Sequence, residues 1–134
     1  MSNVILIQSD ALAATPGYAH ASVVGAGTRL IHLAGVCPLD TDGVVTPVGD
    51  FAGQAERCVA NLVAALAAAG GTLSDVAYSR VLVASPHRED LGAVWEVVRS
   101  AFSAHPVPST LFGVAVLGYE NQLVEIEAVA ALTA

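Results

Sequence analysis

The chain contains no lysine. Its five cationic residues are all arginine, set against twelve acids for a formal net charge of −7. Without lysine there is no Schiff-base chemistry on the protein, including any lysine-bound pyridoxal phosphate. The acidic balance argues against nucleic acid as a main partner, because neutralising phosphates takes clustered Lys and Arg. Charged residues of either sign make up only 13%, against about 25% in a typical soluble domain. No apolar run reaches the roughly 18–20 residues needed to cross a bilayer, so no membrane association is expected. The N-terminus, Met1 to Gln8, lacks the basic stretch of a signal peptide, and a cytoplasmic location is expected. The two cysteines, Cys37 and Cys58, fit reduced thiols better than a disulfide. His20, His32, His87 and His105 show no HxxxH or CxxC-type spacing, so no metal and no other cofactor is expected.

What the chain has in excess is alanine and valine, which raise its hydrophobic fraction to 54% over 134 residues. That length fits a single domain, 1–134, able to bury roughly two-thirds of its unfolded surface. So few polar groups hardly cover a monomer, and a homo-oligomer that buries apolar faces is expected.

Periodicity and turn residues divide the chain into eight elements. Val4 to Ile7 is a short first strand. Tyr18 to Gly25 and Thr28 to Gly35 are β-rich runs around Gly25-Ala26-Gly27, which reads as a hairpin. Asp50 is a good N-cap, and Gly70-Gly71 a good stop, for a helix whose stripe is Phe51, Ala55, Cys58, Leu62, Leu66 and Ala69, with Gln54, Arg57 and Asn61 largely off it. Val76 to Ala84 is the next strand. Ser85-Pro86 fits the start of a second helix through about Phe102, with Leu91, Val94 or Trp95, Val98 and Phe102 facing inward. Thr110 to Leu117 and Leu123 to Leu132 are the last strands, read as a hairpin across Gly118-Tyr119-Glu120-Asn121. The order β-β-β-α-β-α-β-β implies an α+β fold, a mixed sheet with both helices on one face and the other face in need of cover.

The last strand carries Glu125 and Glu127 inside an apolar run. Strand residues two apart share a face, so both carboxylates point the same way. Burying such a group without a partner is costly, so that face is either wet or lines a pocket or interface.

Several short pieces, in this order and spacing, resemble the RidA/YjgF family of reactive-intermediate deaminases. They are Pro16-Gly17-Tyr18-Ala19-His20-Ala21, Leu33-Ala34-Gly35-Val36-Cys37-Pro38-Leu39-Asp40, Gly49-Asp50-Phe51 with Gln54, Asn61-Leu62, Ala67-Ala68-Ala69-Gly70 with Asp75-Val76, and Val124-Glu125-Ile126-Glu127-Ala128. The resemblance spans almost the whole chain. It implies a chorismate-mutase-like unit, three of which form a trimer with a central barrel, helices outside and ligand clefts between neighbouring subunits. It further implies hydrolysis of small imines or enamines to ketoacids and ammonia. The family's tyrosine, glutamate and glycine correspond to Tyr18, Glu125 and Gly35. The family's arginine, which grips a substrate carboxylate, corresponds to Ser109, and a nearby cysteine position is Leu111. A hydroxyl does not replace a bidentate guanidinium grip, so the site is expected to be more apolar and less anion-seeking.

The expected roles are therefore Glu125 as general base, Tyr18 as hydrogen-bond partner, Gly35 as backbone contact, and Ser109, Leu111 and His20 as substrate contacts. Each has a plainer alternative. Glu125 then accepts backbone N–H groups at an interface, Tyr18 is a rim aromatic, His20 is a polar strand residue, and Ser109 and Thr110 begin a strand after Pro108. Glu127 is expected to be structural, Cys37 a buried inert thiol, and Trp95 core or interface. The enzymatic reading is hydrolytic deamination of a small imine or enamine, or a related hydration or tautomerisation of an unsaturated intermediate; its rival is a non-catalytic trimer that binds a small molecule or a partner.

Overall fold

The computed structural model describes residues 3–133. Its elements are β1 (Val4–Ile7), β2 (Ala21–Val24), β3 (Arg29–His32), α1 (Phe51–Ala68), β4 (Val76–Val83), α2 (Arg88–Ala101), β5 (Ser109–Gly113) and β6 (Val124–Leu132), with one 3-10 turn, Leu73–Asp75, before β4. The α+β order is the expected one. The pairing is not. No hairpin joins β2 to β3: β2 pairs antiparallel with β1 in a separate two-stranded sheet, and β3 pairs with β6. The Gly25-Ala26-Gly27 stretch carries the chain from one sheet to the other. Nor do β5 and β6 form a hairpin, since the four-stranded sheet runs β3-β6-β4-β5. β5 lies parallel to β4 through the α2 crossover, and β6 takes the opposite side of β4.

α1 begins where Asp50 accepts the Gly53 N–H at 2.9 Å. A Cβ on Gly53 would sit 2.5 Å from both Asp50 Oδ2 and Pro47 Cγ, so glycine alone fits that cap. The helix ends in a Schellman motif: Gly70, at φ +90°, donates to Ala67 O, and Gly71 donates to Leu66 O. Ala55, Cys58, Leu62 and Leu66 are fully buried, as the stripe requires, while Ala69 is exposed. Gln54, expected off the stripe, is also fully buried. Its amide explains this: Nε2 donates to Pro47 O and Asn121 O, and Oε1 accepts from Leu123 N. One side chain thus ties the helix start to the loop before β6.

α2 starts at Arg88, later than Ser85-Pro86, because the Ser85 hydroxyl turns back to accept from His87 N and donates to Asp90 Oδ2. Val94, Val98 and Phe102 are buried as expected, with Leu91 and Trp95 partly so.

Both helices cover one face of the four-stranded sheet. On that face Ser79, Val81 and Val83 of β4 meet Val124, Ile126 and Ala128 of β6. The alternate residues, Tyr78, Arg80 and Leu82 with Glu125, Glu127 and Val129, form an open face left partly exposed. The small sheet packs Val4 and Leu6 against Ala77 and Ala131, and Ser22 donates to Ala77 O.

Candidate functional site

The open face places Glu125 beside the irregular segment that follows β3. Val36 and Ile126 exchange both backbone hydrogen bonds, at 2.7 and 3.0 Å, which brings Gly35 against the Glu125 carboxylate. A Cβ on Gly35 would lie 2.5 Å from Glu125 Oε2, so the position needs a residue without one. Cys37 Sγ lies 3.3 Å from Glu125 Oε1, and Gln122 Nε2 donates to the same oxygen at 3.3 Å. Gln122 is buried and itself fixed, accepting from Tyr119 N and donating to Val124 O. Burial, then the bond to Glu125 and its charge, push the Cys37 thiol up to about 11, so it stays protonated at neutral pH. Cys58, deeper in α1, is also pushed up, chiefly by burial. Cys37 was expected to be buried and is in fact half-buried, but a protonated thiol has little nucleophilic power.

Tyr18, Ser109 and Leu111 come together elsewhere, in a cavity of about 470 Å³ completed by Pro16, Trp95 and Thr110. Tyr18 and Trp95 meet edge to face with centroids 5.9 Å apart, and Trp95 Nε1 donates to Pro16 O at 2.9 Å. Gly17, at φ +90°, sets the turn that presents Tyr18. Ser109 shares a 2.7 Å hydrogen bond with the buried Ser79, so it faces the helix side of the sheet. No charged residue lines this cavity.

The expected site is therefore divided within one chain. Glu125 and Gly35 lie on the open face, whereas Ser109 and Leu111 lie on the helix-covered face at the β5 edge with Tyr18. His20 joins neither group. Its Nδ1 accepts from Ser9 N and its Nε2 pairs with Ala13 O, both at 3.0 Å, which fixes the ring as a brace for the 9–13 loop. Both ring nitrogens are occupied, so no substrate contact is left to it there.

Sequence reasoning missed Trp95 as a cavity wall and Gln122 as a carboxylate partner. It also passed over Arg80, which lies over the Phe112 ring at 5.4 Å and pairs with Glu127 at 3.3 Å. That pair borders a second cavity of about 330 Å³ with His32, Leu33, Tyr78, Ala128 and Val129. The alternation of β4 was the available signal, since Arg80 falls between inward residues. Among the described residues no group of three or more His, Cys, Asp or Glu could hold a metal ion. No helix of the described residues is long and apolar enough to cross a membrane.

A family model described as endoribonuclease L-PSP matches residues 8–132. Among solved structures, a Rid-family protein of unknown function from Yersinia pestis superposes with a TM-score of 0.88 at 27% identity, over 97% of this chain and 99% of its own. A putative endoribonuclease from Thermotoga maritima follows at 0.71 and 31%, over 90% and 91%. A YjgF/YER057c/UK114-family protein from Mycobacterium tuberculosis gives 0.62 and 30%, over 96% and 99%. No curated protein matches the chain. With the fold, its element order and nearly the full length in common, the chain belongs to the RidA/YjgF family, the one described as endoribonuclease L-PSP.

Proposed function

We propose that this protein is a hydrolytic deaminase of small, neutral imines or enamines, working at clefts between copies of a homotrimer. The observation that carries the reading is the half-buried Glu125 carboxylate, backed by Gly35 and held on one oxygen only. Oε2 receives no side-chain hydrogen bond among the described residues and is free to take a proton from water. The resulting hydroxide adds to the C=N carbon while Glu125 returns that proton to the nitrogen, giving a neutral carbinolamine; a second proton passed from its hydroxyl to the nitrogen makes ammonia the leaving group. Collapse of that species breaks the C–N bond, so the imine and water become a carbonyl compound and ammonia. Tyr18 is the hydrogen-bond partner of the reacting groups, and Gly35 supplies close backbone approach.

Neutrality of the substrate follows from the lining of the Tyr18 cavity, where Ser109 and Thr110 offer hydroxyls and no guanidinium is present to hold a carboxylate. The split of the expected residues over two faces supports a shared cleft, since a second copy is needed to bring a Glu125 opposite a Tyr18. Exposed Leu30 and Tyr78 on the open face, and the low charge, support the association. RNA cleavage, the activity in the family's description, is not proposed: a net charge of −7 with no lysine does not favour a polyanion.

A panel of neutral and carboxylated imines, assayed by carbonyl release, tests this. Neutral imines are expected to turn over faster than 2-aminoacrylate-type imines, and Glu125→Gln is expected to abolish the difference from solvent hydrolysis. Preference for the carboxylated substrate would overturn the neutral-ligand assignment. A second reading, binding without chemistry, is favoured by the Ser79–Ser109 pair, whose hydroxyls already satisfy each other. It prevails if ligands bind and Glu125→Gln leaves every rate unchanged.

A further inference from the structure

The surroundings of Glu125 contain more than that mechanism uses. The segment holding Cys37 is fixed from two sides: Asn61 Nδ2 donates to Cys37 O and Leu39 O, Arg57 Nε donates to Leu39 O, and Val36 is bonded to β6. The position of Sγ is therefore set by backbone that α1 and β6 both hold. From there the nearest acceptor is Glu125 Oε1 at 3.3 Å, with Gly35 O at 3.5 Å. The Gln122 amide reaches the same Oε1 from a buried side chain. Thiol, amide and the missing Cβ of Gly35 thus converge on one carboxylate, from the segment after β3 and from the loop before β6.

We propose that Cys37 is a positioning residue, a thiol donor that works with Gln122 to hold Glu125 Oε1 so that Oε2 is the oxygen presented to water. The inference rests on the reading of Glu125 as the base. A carboxylate beside a thiol opposes formation of the thiolate, because two negative charges would share one partly desolvated spot. The titratable group acting on Cys37 is Glu125 on β6, which opposes a thiolate; the Gln122 amide pulls the other way, but burial and Glu125 outweigh it. Cys37 is thus kept as S–H, a donor, and away from the reactive form that oxidants and alkylators attack.

Two measurements test this. The first needs no substrate: iodoacetamide modification of Cys37 is followed at pH 8.5, with Cys37→Ala as the blank for Cys58. Glu125→Gln, which keeps the volume but removes the charge, is expected to accelerate modification about tenfold or more. Equal rates would overturn the coupling. The second uses an imine that the protein turns over. Cys37→Ala is expected to lower kcat about 5- to 10-fold with KM nearly unchanged, the worth of one hydrogen bond made to the reacting group, and Cys37→Ser to restore most of it. A volume-filling role predicts the reverse order, with serine no better than alanine, and that order would overturn the positioning role. Full turnover by Glu125→Gln would instead remove the base reading, while the alkylation rates still decide whether thiol and carboxylate are paired.

Discussion

On the helix-covered side of β4 and β6, Val81, Val83, Val124 and Ile126 are fully buried and Ser79 is the sole hydroxyl between them. On the other side of the same two strands stand Tyr78, Arg80, Leu82, Glu125 and Glu127, each at least partly exposed. One alternation of residues thus separates what holds the fold from what is available for chemistry. The lesson is that changes on the two faces are separable: the covered face sets stability, and the open face tolerates polar change.

Four measurements sharpen or break that contrast. Leu62→Ala, beneath the covered face, removes a fully buried side chain of the α1 stripe and is expected to cost about 2–5 kcal/mol in urea denaturation. Gln54→Leu keeps bulk but strands Pro47 O, Asn121 O and Leu123 N. A loss of about 1–3 kcal/mol is expected, with faster amide exchange in residues 118–123.

The third measurement concerns alkaline pH. Both thiols are harder to ionise folded than unfolded, so the unfolded chain loses those protons first as pH rises. Their contribution is fully present below about pH 9 and, for Cys37, is lost as pH climbs toward about 11. The urea midpoint should fall over that window, and Cys37→Ser should flatten the fall. A midpoint that rises would contradict the buried-thiol geometry.

The smallest effect is expected at the open-face ion pair. Arg80 and Glu127, 3.3 Å apart, are both partly exposed, so Arg80→Met should change stability by about 0–1 kcal/mol. A loss above about 2 kcal/mol on this face would mean the division between the faces is false.

Much of the fold was legible in the chain itself. The Asp50 cap, the 3.6-residue stripe and Gly70-Gly71 bounded α1 because each acts locally, within a turn of its own position. The alternation of β6 likewise reported its two faces. What was not legible was partner choice. Gly25-Ala26-Gly27 looks like a hairpin turn, yet β2 and β3 part at it, because the match of Val4 and Leu6 to Ala77 and Ala131 is a long-range fact. The start of α2 was misplaced for a local reason, the hydroxyl of Ser85 turning inward to His87.

The candidate site was legible in its parts and not in its assembly. Glu125 and Gly35 were found next to each other, and so were Tyr18, Ser109 and Leu111. That the two groups sit on opposite faces depends on β5 lying parallel beside β4, which no short motif encodes. Gln122 was invisible because its value lies in tertiary partners, and His20 was overrated because its ring is consumed by Ser9 and Ala13.

One wall of the Tyr18 cavity is drawn from a stretch that belongs to no strand or helix. Residues 16–18 are fastened by the Trp95 indole, by the edge-on ring contact, by Gln8 Nε2 and Thr15 Oγ1 donating to Tyr18 O, and by the neighbouring bond from Ala19 N to Pro106 O. Releasing those few attachments would widen the chamber while Leu62, Val81 and Ile126 stay packed. If the proposed small molecule uses this chamber, its entry would need only a local opening rather than melting of the domain, and its exchange is expected to vary with the hold on residues 16–18 rather than with overall resistance to denaturant.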